Sequence, residues 1–222
     1  AMGDRWFGGQ TKSPWDPKNP EQGSSGSSAG PAAAVAAGLV PFAVGSETRG
    51  SIISPSSRCG VTGLRPSFGR VSRHGAMALS WTMDKIGPLC RAAEDCAVVL
   101  HAIQGPDGRD NSVLDVPFAW DAGRDVRKLR VGYLKSDIEK EVPDDPKNPD
   151  RVRRMRESQA FAKSSLETIR GLGVKPVPVD LPPLGSGPMD FLLTTEAAAA
   201  FDDLVRSGGL DLMSAEPERS GW

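Results

Sequence analysis

Two short turns rich in glycine and serine constrain this chain more than any other feature of its sequence. They occupy residues 26–30 (GSSAG) and 45–51 (GSETRGS), and an Ala-rich link of fourteen residues, 31–44, joins them. Glycine and serine disfavour helix interiors and favour loops in which backbone N–H groups point into a cavity. Hydroxyl groups on two such turns, brought together across a buried helix, can supply a nucleophile and its proton carrier. The pattern therefore predicts acyl-transfer chemistry that does not depend on histidine.

The charge and aromatic content exclude several classes of partner. The 222 residues include 27 basic and 28 acidic side chains, so bulk charge does not favour nucleic acid or a membrane surface. Aromatic residues make up 6% of the chain, which argues against a stacking platform for single strands. No apolar run approaches the length of a membrane span. We therefore expect a small-molecule substrate, with no nucleic acid bound directly and no membrane.

The cysteines and histidines indicate neither a metal site nor histidine-dependent catalysis. Cys59, Cys90 and Cys96 are odd in number, and their spacing matches no zinc-binding pattern. We expect buried thiols in a reducing compartment, which is the cytoplasm by default. Neither His74 nor His101 has a carboxylate fixed near it by the sequence, so we expect both to be structural.

Local patterns predict a series of short helices and strands. Helices that alternate with short apolar strands are typical of an α/β fold. Apolar residues at helical spacing, together with glycine and proline stop signals, define most of the bounds. The expected elements are, in chain order, an irregular segment at 1–30, a helix at 31–39, a buried strand at 40–44, a loop within 52–64, a strand at 68–71, a helix at 94–104, a polar connection at 107–127, a strand at 129–134, a helix at 151–170, an extended edge segment at 174–179 and a helix at 195–206.

The first turn also fits the pattern G-x-S-x-G, with Ser28 as the candidate nucleophile of an α/β-hydrolase elbow. That elbow requires a strand directly before the turn, whereas residues 18–25 are polar and interrupted by proline. A serine nucleophile without histidine needs another base, and Ser–Lys arrangements meet this need. The sequence therefore favours a serine–lysine mechanism over a hydrolase triad.

Several further strings accompany the two turns and the Ala-rich link. They are Pro55, residues 59–66 (CGVTGLRP), 69–72 (GRVS), 84–88 (DKIGP), and, before the first turn, 13–17 (SPWDP). Together with GSSAG and GSETRGSI, these strings resemble the amidase signature family. The likeness extends over about residues 1–206 and is most specific within 23–110.

The resemblance implies an α/β fold with a mixed central β-sheet flanked by helices on both faces. It further implies a single partial amidase domain over 1–222, with the signature region at 1–110, a connecting segment at 111–128, and later core strands and helices at 129–222. We expect the C-terminal end of that domain to be incomplete.

The resemblance also implies the site residues. Ser51 corresponds to the nucleophile and Ser27, twenty-four positions earlier, to the bridging serine, which follows a cis peptide bond in the family. Gly26 and Ser28 correspond to supporting positions. A registration on Ser24 copies the local string Gly-Ser-Ser-Gly but lengthens the separation to twenty-seven residues, which the link has little room for.

The implied mechanism is a proton relay without metal or organic cofactor. A lysine takes the proton of Ser27, Ser27 takes that of Ser51, and Ser51 attacks the amide carbonyl. The implied oxyanion donors are the backbone N–H groups of four successive residues: Thr48, Arg49, Gly50 and Ser51.

Three features depart from the family pattern. Arg49 stands where the family has glycine, and Ile53 stands where it has arginine, a contact that Arg58 is placed to replace. The catalytic lysine of the family lies well upstream of the first serine turn, and Lys12 and Lys18 belong to a loop. We therefore expect the lysine base to be absent from this chain, which then represents a fragment.

The resemblance leaves three hypotheses for function. The first is an amidase that hydrolyses a carboxylic amide C–N bond through a serine acyl-enzyme, acting on a small-molecule amide, with a homo-oligomer allowed. The second is the glutamine-hydrolysing subunit of a tRNA-dependent amidotransferase. The third is an inactive fragment or remnant, since the lysine base is expected to be absent.

Overall fold

Helices and short strands alternate along the computed structural model, which describes residues 3–6, 9–19, 22–182, 185 and 187–212. The elements are β1 (Arg5–Trp6), β2 (Gly9–Gln10), α1 (Ala29–Ala36), β3 (Phe42–Glu47), α2 (Ile53–Cys59), β4 (Thr62–Gly63), β5 (Lys85–Cys90), α3 (Ala93–Ile103), β6 (Gly132–Leu134), α4 (Lys135–Ile138), α5 (Pro149–Gly171), β7 (Val177–Val179), α6 (Gly187–Ala200) and α7 (Asp202–Arg206), with 3-10 turns at Val126–Lys128 and Gly209–Leu212. The predicted α/β class is confirmed.

The described residues group into two compact units. The first contains those up to Trp120 together with those from Gly187 onward, and the second contains 121–186. Both serine turns belong to the first unit.

The first unit is organised around an antiparallel sheet with the strand order β3–β5–β4. The register pairs Phe42 with Cys90 at one end of β3 and Glu47 with Lys85 at the other. Because the second serine turn follows β3 directly, this register brings the start of β5 to the turn that carries Ser51. A separate two-stranded pair, β1–β2, is also antiparallel.

The helix between the two serine turns, α1, consists largely of small residues. Ala32 and Val35 are fully buried, and the short alanine side chains let α1 pack closely against β3 and α2. Gly38 follows with φ of 72°, a left-handed conformation that glycine adopts without strain. The predicted helix at 31–39 is therefore confirmed, although it begins two residues earlier.

The strand β3 was predicted as a buried strand at 40–44, and that prediction is wrong in bounds and burial. Gly45 and Glu47 are buried, but Phe42 and Val44 are 48% and 44% exposed. The side chains alternate because one face of β3 packs against α1 and the other lies open.

Helix α2 lies in the segment 52–64, which the sequence predicted as a loop, so that prediction is wrong. Its serine-rich composition gives weak helix propensity. Pro55 is the third helical residue, within the first turn, where backbone N–H groups have no helical partner. Gly60, with φ of 66°, ends the helix and donates its N–H to the Ser56 carbonyl oxygen.

The predicted strand at 68–71 is also wrong. Val71 forms only isolated bridges, with Gln104 and Gly105, so no ladder develops. The chain turns instead at Gly69, whose φ is 75°.

Helix α3 confirms the prediction at 94–104. The Asp95 carboxylate accepts a hydrogen bond from the Ala92 N–H and so caps the first turn. The helix buries Cys96, Ala97 and Leu100. Elsewhere in this unit the centre of the core contains Ala32, Ile52, Cys59 and Leu89, all fully buried.

The second unit is a strand–helix–strand arrangement, as predicted. The strands β6 and β7 pair in parallel, with the long helix α5 between them in sequence. Among its described residues, Val152, Leu166 and Val174 are the buried apolar ones. The strand β6 is shorter than the predicted 129–134.

The final helical segment differs from the single helix predicted at 195–206. Helix α6 begins at Gly187, and the helical conformation is interrupted at Phe201 before α7. Among the described residues, no helix combines the length and the apolar character that crossing a membrane requires.

Candidate active site

The two serine turns meet in the first unit. The Ser28 backbone N–H donates a hydrogen bond to the Ser51 carbonyl oxygen at 3.1 Å, across the helix that separates the turns in sequence. Ser27, the residue before this contact, is exposed, whereas Ser51 is partly buried. The structure therefore brings the segments that carry both predicted hydroxyl groups to one place.

Ser28 fastens the first turn to strand β3. Its hydroxyl donates to the Ser46 carbonyl oxygen and accepts from the Ser46 N–H, both at 3.2 Å. The residue is only 5% exposed. This hydroxyl is buried and already serves as both donor and acceptor within the protein, so its role is structural. Ser28 is therefore excluded as the nucleophile of a hydrolase elbow.

Gly26 and Ser27 lie against the N-terminal residues of the chain. The peptide bond between them is cis, as the resemblance implies. A Cβ atom added to Gly26 would lie 2.5 Å from the Gly3 carbonyl carbon, and one added to Gly3 would lie 2.7 Å from Ser27 Cα. Glycine is needed at both positions because the two backbone segments touch.

The alternative registration on Ser24 has different surroundings. Ser24 is fully buried and its hydroxyl donates to the neighbouring Ser25 carbonyl oxygen at 3.1 Å. The Ser25 hydroxyl lies 2.7 Å from that of Ser54, on helix α2. Ser24 is therefore less accessible than Ser27, which is exposed.

Glu47 belongs to the string that resembles the family but had no role assigned to it from the sequence. It holds the turn at 48–51, called the nucleophile turn because it contains the candidate nucleophile Ser51. Its carboxylate accepts hydrogen bonds from the N–H groups of Ile52 and Ile53 at 2.8 and 2.9 Å, and from the Arg65 guanidinium at 3.2 Å. Burial by itself raises the pKa of Glu47, but the donors, including the Gly50 N–H, outweigh burial and lower it. An ionised carboxylate therefore bridges the end of β3 and the start of α2. Because no helix was predicted at 53–59, the only sign of Glu47 in the sequence was its place in the string that resembles the family.

Thr48 is held by residues around the start of β5. Its hydroxyl donates to one oxygen of the Asp84 carboxylate, whose other oxygen accepts from the N–H groups of Leu79 and Ser80. The Lys85 ammonium donates to the Thr48 carbonyl oxygen at 3.2 Å. These contacts fix the beginning of the turn that contains the candidate oxyanion donors.

The turn at 48–51 accommodates Arg49 without backbone strain. Ser25 is the only residue other than glycine with positive φ in the described part of the chain, and the positive φ of this turn, 97°, falls on Gly50. The Arg49 guanidinium forms an ion pair with Asp190 of helix α6. Both partners are about half exposed, so the pair contributes at most about 1 kcal/mol to stability.

Arg58 does not supply the contact of the arginine that the family has in place of Ile53, although the sequence suggested that it would. The Ile53 side chain is 44% exposed. Arg58 donates to Gln22 at 2.6 Å instead of turning towards the nucleophile turn. Arg65 is the arginine that reaches the Glu47 carboxylate beneath that turn.

Lysines near the site engage other groups. The Lys12 ammonium donates to the Gln10 side chain and to the Asn19 carbonyl oxygen, and Lys18 is exposed. Within the described ranges, no lysine ammonium is hydrogen-bonded to Ser27 or Ser51.

A separate cavity of about 270 Å³ opens beside the paired ends of β3 and β5. Ser46, Asp84 and Lys85 line one side of it, and neither Ser27 nor Ser51 does. The cavity therefore borders the supports of the nucleophile turn and not its hydroxyl groups.

The chain is similar to known proteins over nearly its whole length. The family model described as Amidase matches residues 3–218. A Glutamyl-tRNA(Gln) amidotransferase subunit of Staphylococcus aureus is 40% identical over 205 residues, which cover 90% of this chain and 39% of that protein.

The chain is also similar to solved structures of amidotransferase subunits and amidases. A Glutamyl-tRNA(Gln) amidotransferase subunit of Thermotoga maritima matches with a TM-score of 0.73 at 28% identity, over 91% of this chain and 44% of that one. The peptide amidase of Stenotrophomonas maltophilia matches with a TM-score of 0.66 at 30% identity, over 88% and 39%. The chain thus spans about two fifths of the length of the relatives it matches. With the family model and these relatives in agreement, the chain belongs to the amidase signature family.

Proposed function

We propose that this chain carries the nucleophile half of an amide hydrolase site, in which Ser51 attacks a carboxylic amide carbonyl. The observation that carries the proposal is the contact between the two serine turns, with the Ser28 N–H on the Ser51 carbonyl oxygen at 3.1 Å. The ionised Glu47 carboxylate supports it, because it holds the residues that follow Ser51 in a defined conformation.

Ser27 acts as the bridging hydroxyl in this proposal. Ser51 passes its proton to Ser27, and Ser27 passes its own to a lysine that lies outside the described residues. The bond from Ser51 Oγ to the carbonyl carbon forms, the C–N bond breaks, and the leaving amine takes the proton from the same path. Water then hydrolyses the acyl-enzyme. The substrate is a small-molecule amide, and the reaction uses no nucleic acid, membrane or cofactor.

The backbone N–H groups from Thr48 to Ser51 bind the developing oxyanion. Among the described residues, the N–H groups of Arg49 and Ser51 have no backbone acceptor. The Gly50 N–H also faces the Glu47 carboxylate, so its contribution to the oxyanion is smaller. Each donor in such a site contributes about 3–4 kcal/mol to the transition state.

A second candidate is the glutamine-hydrolysing subunit of an amidotransferase. The 40% identity to proteins named as amidotransferase subunits favours it. Arg49 and Ile53 depart from the string expected of such a subunit, and this favours the first candidate. Glutaminase activity that requires a partner protein would select the second candidate.

In either case we assign the protein to the cytoplasm, because Cys59, Cys90 and Cys96 are free thiols.

Labelling with a fluorophosphonate tests the nucleophile in the complete gene product. We expect an adduct on Ser51, detected by mass spectrometry of the modified peptide, and none in Ser51→Ala. Ser27→Ala should slow labelling by about a hundredfold or more, because it removes proton transfer. Ser57→Ala, an exposed serine of α2, is the matched control and should label at the wild-type rate.

Two outcomes would contradict this assignment. A wild-type protein that forms no adduct on Ser51 is an inactive remnant, the third candidate. If Ser24→Ala slows labelling and Ser27→Ala does not, the bridging serine is Ser24 and the registration of the first turn is wrong.

A further inference from the structure

Lys85 donates hydrogen bonds from its ammonium group to one backbone carbonyl of the nucleophile turn and to one outside it. It lies at the start of β5, opposite Glu47 in the register, and is partly buried. Its Nζ donates to the carbonyl oxygens of Met83 and Thr48, the latter at 3.2 Å. Two carboxylates lie nearby, Glu47 and Asp84, but the hydrogen bonds of Lys85 go to the carbonyls instead.

The two carboxylates have other partners. Asp84 accepts from the Thr48 hydroxyl and from two backbone N–H groups, and Glu47 accepts from the residues after Ser51. Lys85 is therefore not simply one half of an ion pair. Its ammonium group links the Thr48 carbonyl of the turn to the Met83 carbonyl just before β5.

That carbonyl belongs to the same peptide group as the Arg49 N–H. A cation at the oxygen of a peptide draws electron density from it and makes the N–H on the other side a stronger donor. It also holds the peptide plane in one orientation. The Arg49 N–H is one of the candidate oxyanion donors, and it has no backbone acceptor among the described residues.

We propose that Lys85 is a positioning residue for the oxyanion site, acting through the Thr48–Arg49 peptide. It orients and polarises this peptide so that the Arg49 N–H binds the negative oxygen that forms when Ser51 attacks. This inference rests on the proposed function, since it requires Ser51 to be the nucleophile.

The charge of Lys85 makes the effect dependent on pH. Burial and the nearby Arg65 lower the pKa of Lys85, and the charges of Glu47 and Asp84 partly oppose this. The other charged or titratable groups that line the same cavity are Arg73, His74, Arg109 and Asp110. Lys85 therefore loses its proton at a lower pH than an ordinary lysine, and the rate that depends on it falls there as pH rises.

Three substitutions in the complete gene product separate charge from donation. Lys85→Arg keeps both, Lys85→Gln keeps a neutral donor, and Lys85→Met removes both. We expect the rate of fluorophosphonate labelling at Ser51, and kcat on an amide, to fall in that order. In Lys85→Met the labelling rate and kcat should fall by about tenfold to a hundredfold, which is less than the effect of removing one oxyanion donor altogether. KM should be nearly unchanged. In Lys85→Met the rate should not decline at alkaline pH as it does in the wild type.

Lys12→Met is the matched control, because the Lys12 ammonium also donates to a backbone carbonyl but lies in the segment that follows β2. It should label at the wild-type rate. Equal rates in wild type and Lys85→Met overturn the inference, and so does an equal loss in Lys12→Met. If Lys85→Met does not fold, failure of Lys85→Arg to restore more of the rate than Lys85→Gln overturns it as well. Absence of labelling in the wild type would instead overturn the proposed function.

Discussion

Glu47 shows at the residue scale how a single buried charge can hold a functional turn. Its side chain is 1% exposed, yet it remains ionised because backbone N–H groups and one guanidinium surround it. Hydrogen bonds to a charged acceptor contribute more than those between neutral groups. The residue thus ties the stability of the fold to the geometry around Ser51.

Glu47→Gln should lower the free energy of unfolding by about 2 kcal/mol at neutral pH, because the charged acceptor is lost. The pKa of Glu47 is lowered in the fold, so its contribution is complete above the pKa of the unfolded chain. That contribution disappears as pH falls through the lower pKa of the folded state. The difference between wild type and variant in urea unfolding should therefore shrink in acid.

Glu94→Gln controls for the loss of a carboxylate as such, since Glu94 is exposed at the start of α3 in the same unit. It should change stability by only a few tenths of a kcal/mol, as for surface substitutions. A Glu47→Gln variant as stable as wild type at neutral pH would show that the buried carboxylate is not needed.

At the scale of elements, the close packing of α1 on β3 places the first serine turn. Gly45 is the contact point, because a Cβ atom there would lie 2.5 Å from Ser28 Oγ and 2.8 Å from Leu89 Cδ1. Gly30, inside α1, has open space around it. The two glycines therefore serve different purposes, although both belong to the serine turns.

Gly45→Ala should destabilise the protein by about 1–3 kcal/mol through overpacking. It should also slow labelling of Ser51, since Ser28 must move. Gly30→Ala, the matched control, should stabilise by about 0.5–1 kcal/mol because alanine is a better helix residue. Thermal unfolding and fluorophosphonate labelling of both variants check this. A Gly45→Ala variant with normal stability and rate would refute the packing argument.

At the scale of the whole molecule, the first unit buries all three thiols of the described chain. Cys59 and Cys90 are fully buried and Cys96 is 2% exposed. Burial raises the pKa of each thiol, that of Cys96 to about 12. The thiols are therefore protected both by lack of access and by a low fraction of the reactive thiolate.

Iodoacetamide at pH 8 should leave these three cysteines unmodified in the native protein and modify all of them in denaturant, as read by mass spectrometry. Ser57→Cys, on the exposed face of α2, is the positive control and should react at once in the native state. Rapid native modification of Cys59 or Cys90 would mean that the core of the first unit opens readily.

Local sequence signals predicted the helices whose bounds depend on their own residues. The small residues of α1, the apolar spacing of α3 and α5, and the glycines Gly38, Gly105 and Gly171 after or at their ends are all visible in the chain. Helix α2 was missed because serine gives weak propensity, and its start is stabilised by the Glu47 carboxylate. The strand expected at 68–71 does not form, because in the described part of the chain Val71 makes only isolated bridges, with Gln104 and Gly105.

The sequence by itself determined the two serine turns, their separation and the helix between them, since each depends on residues close together along the chain. Only the tertiary structure decided what surrounds the nucleophile turn. Asp84 and Lys85 come from another strand end and Asp190 from helix α6, 141 positions beyond Arg49. Contacts of this kind arise from strand register and helix packing, which no local pattern encodes, because many chain segments must fold together before these side chains meet.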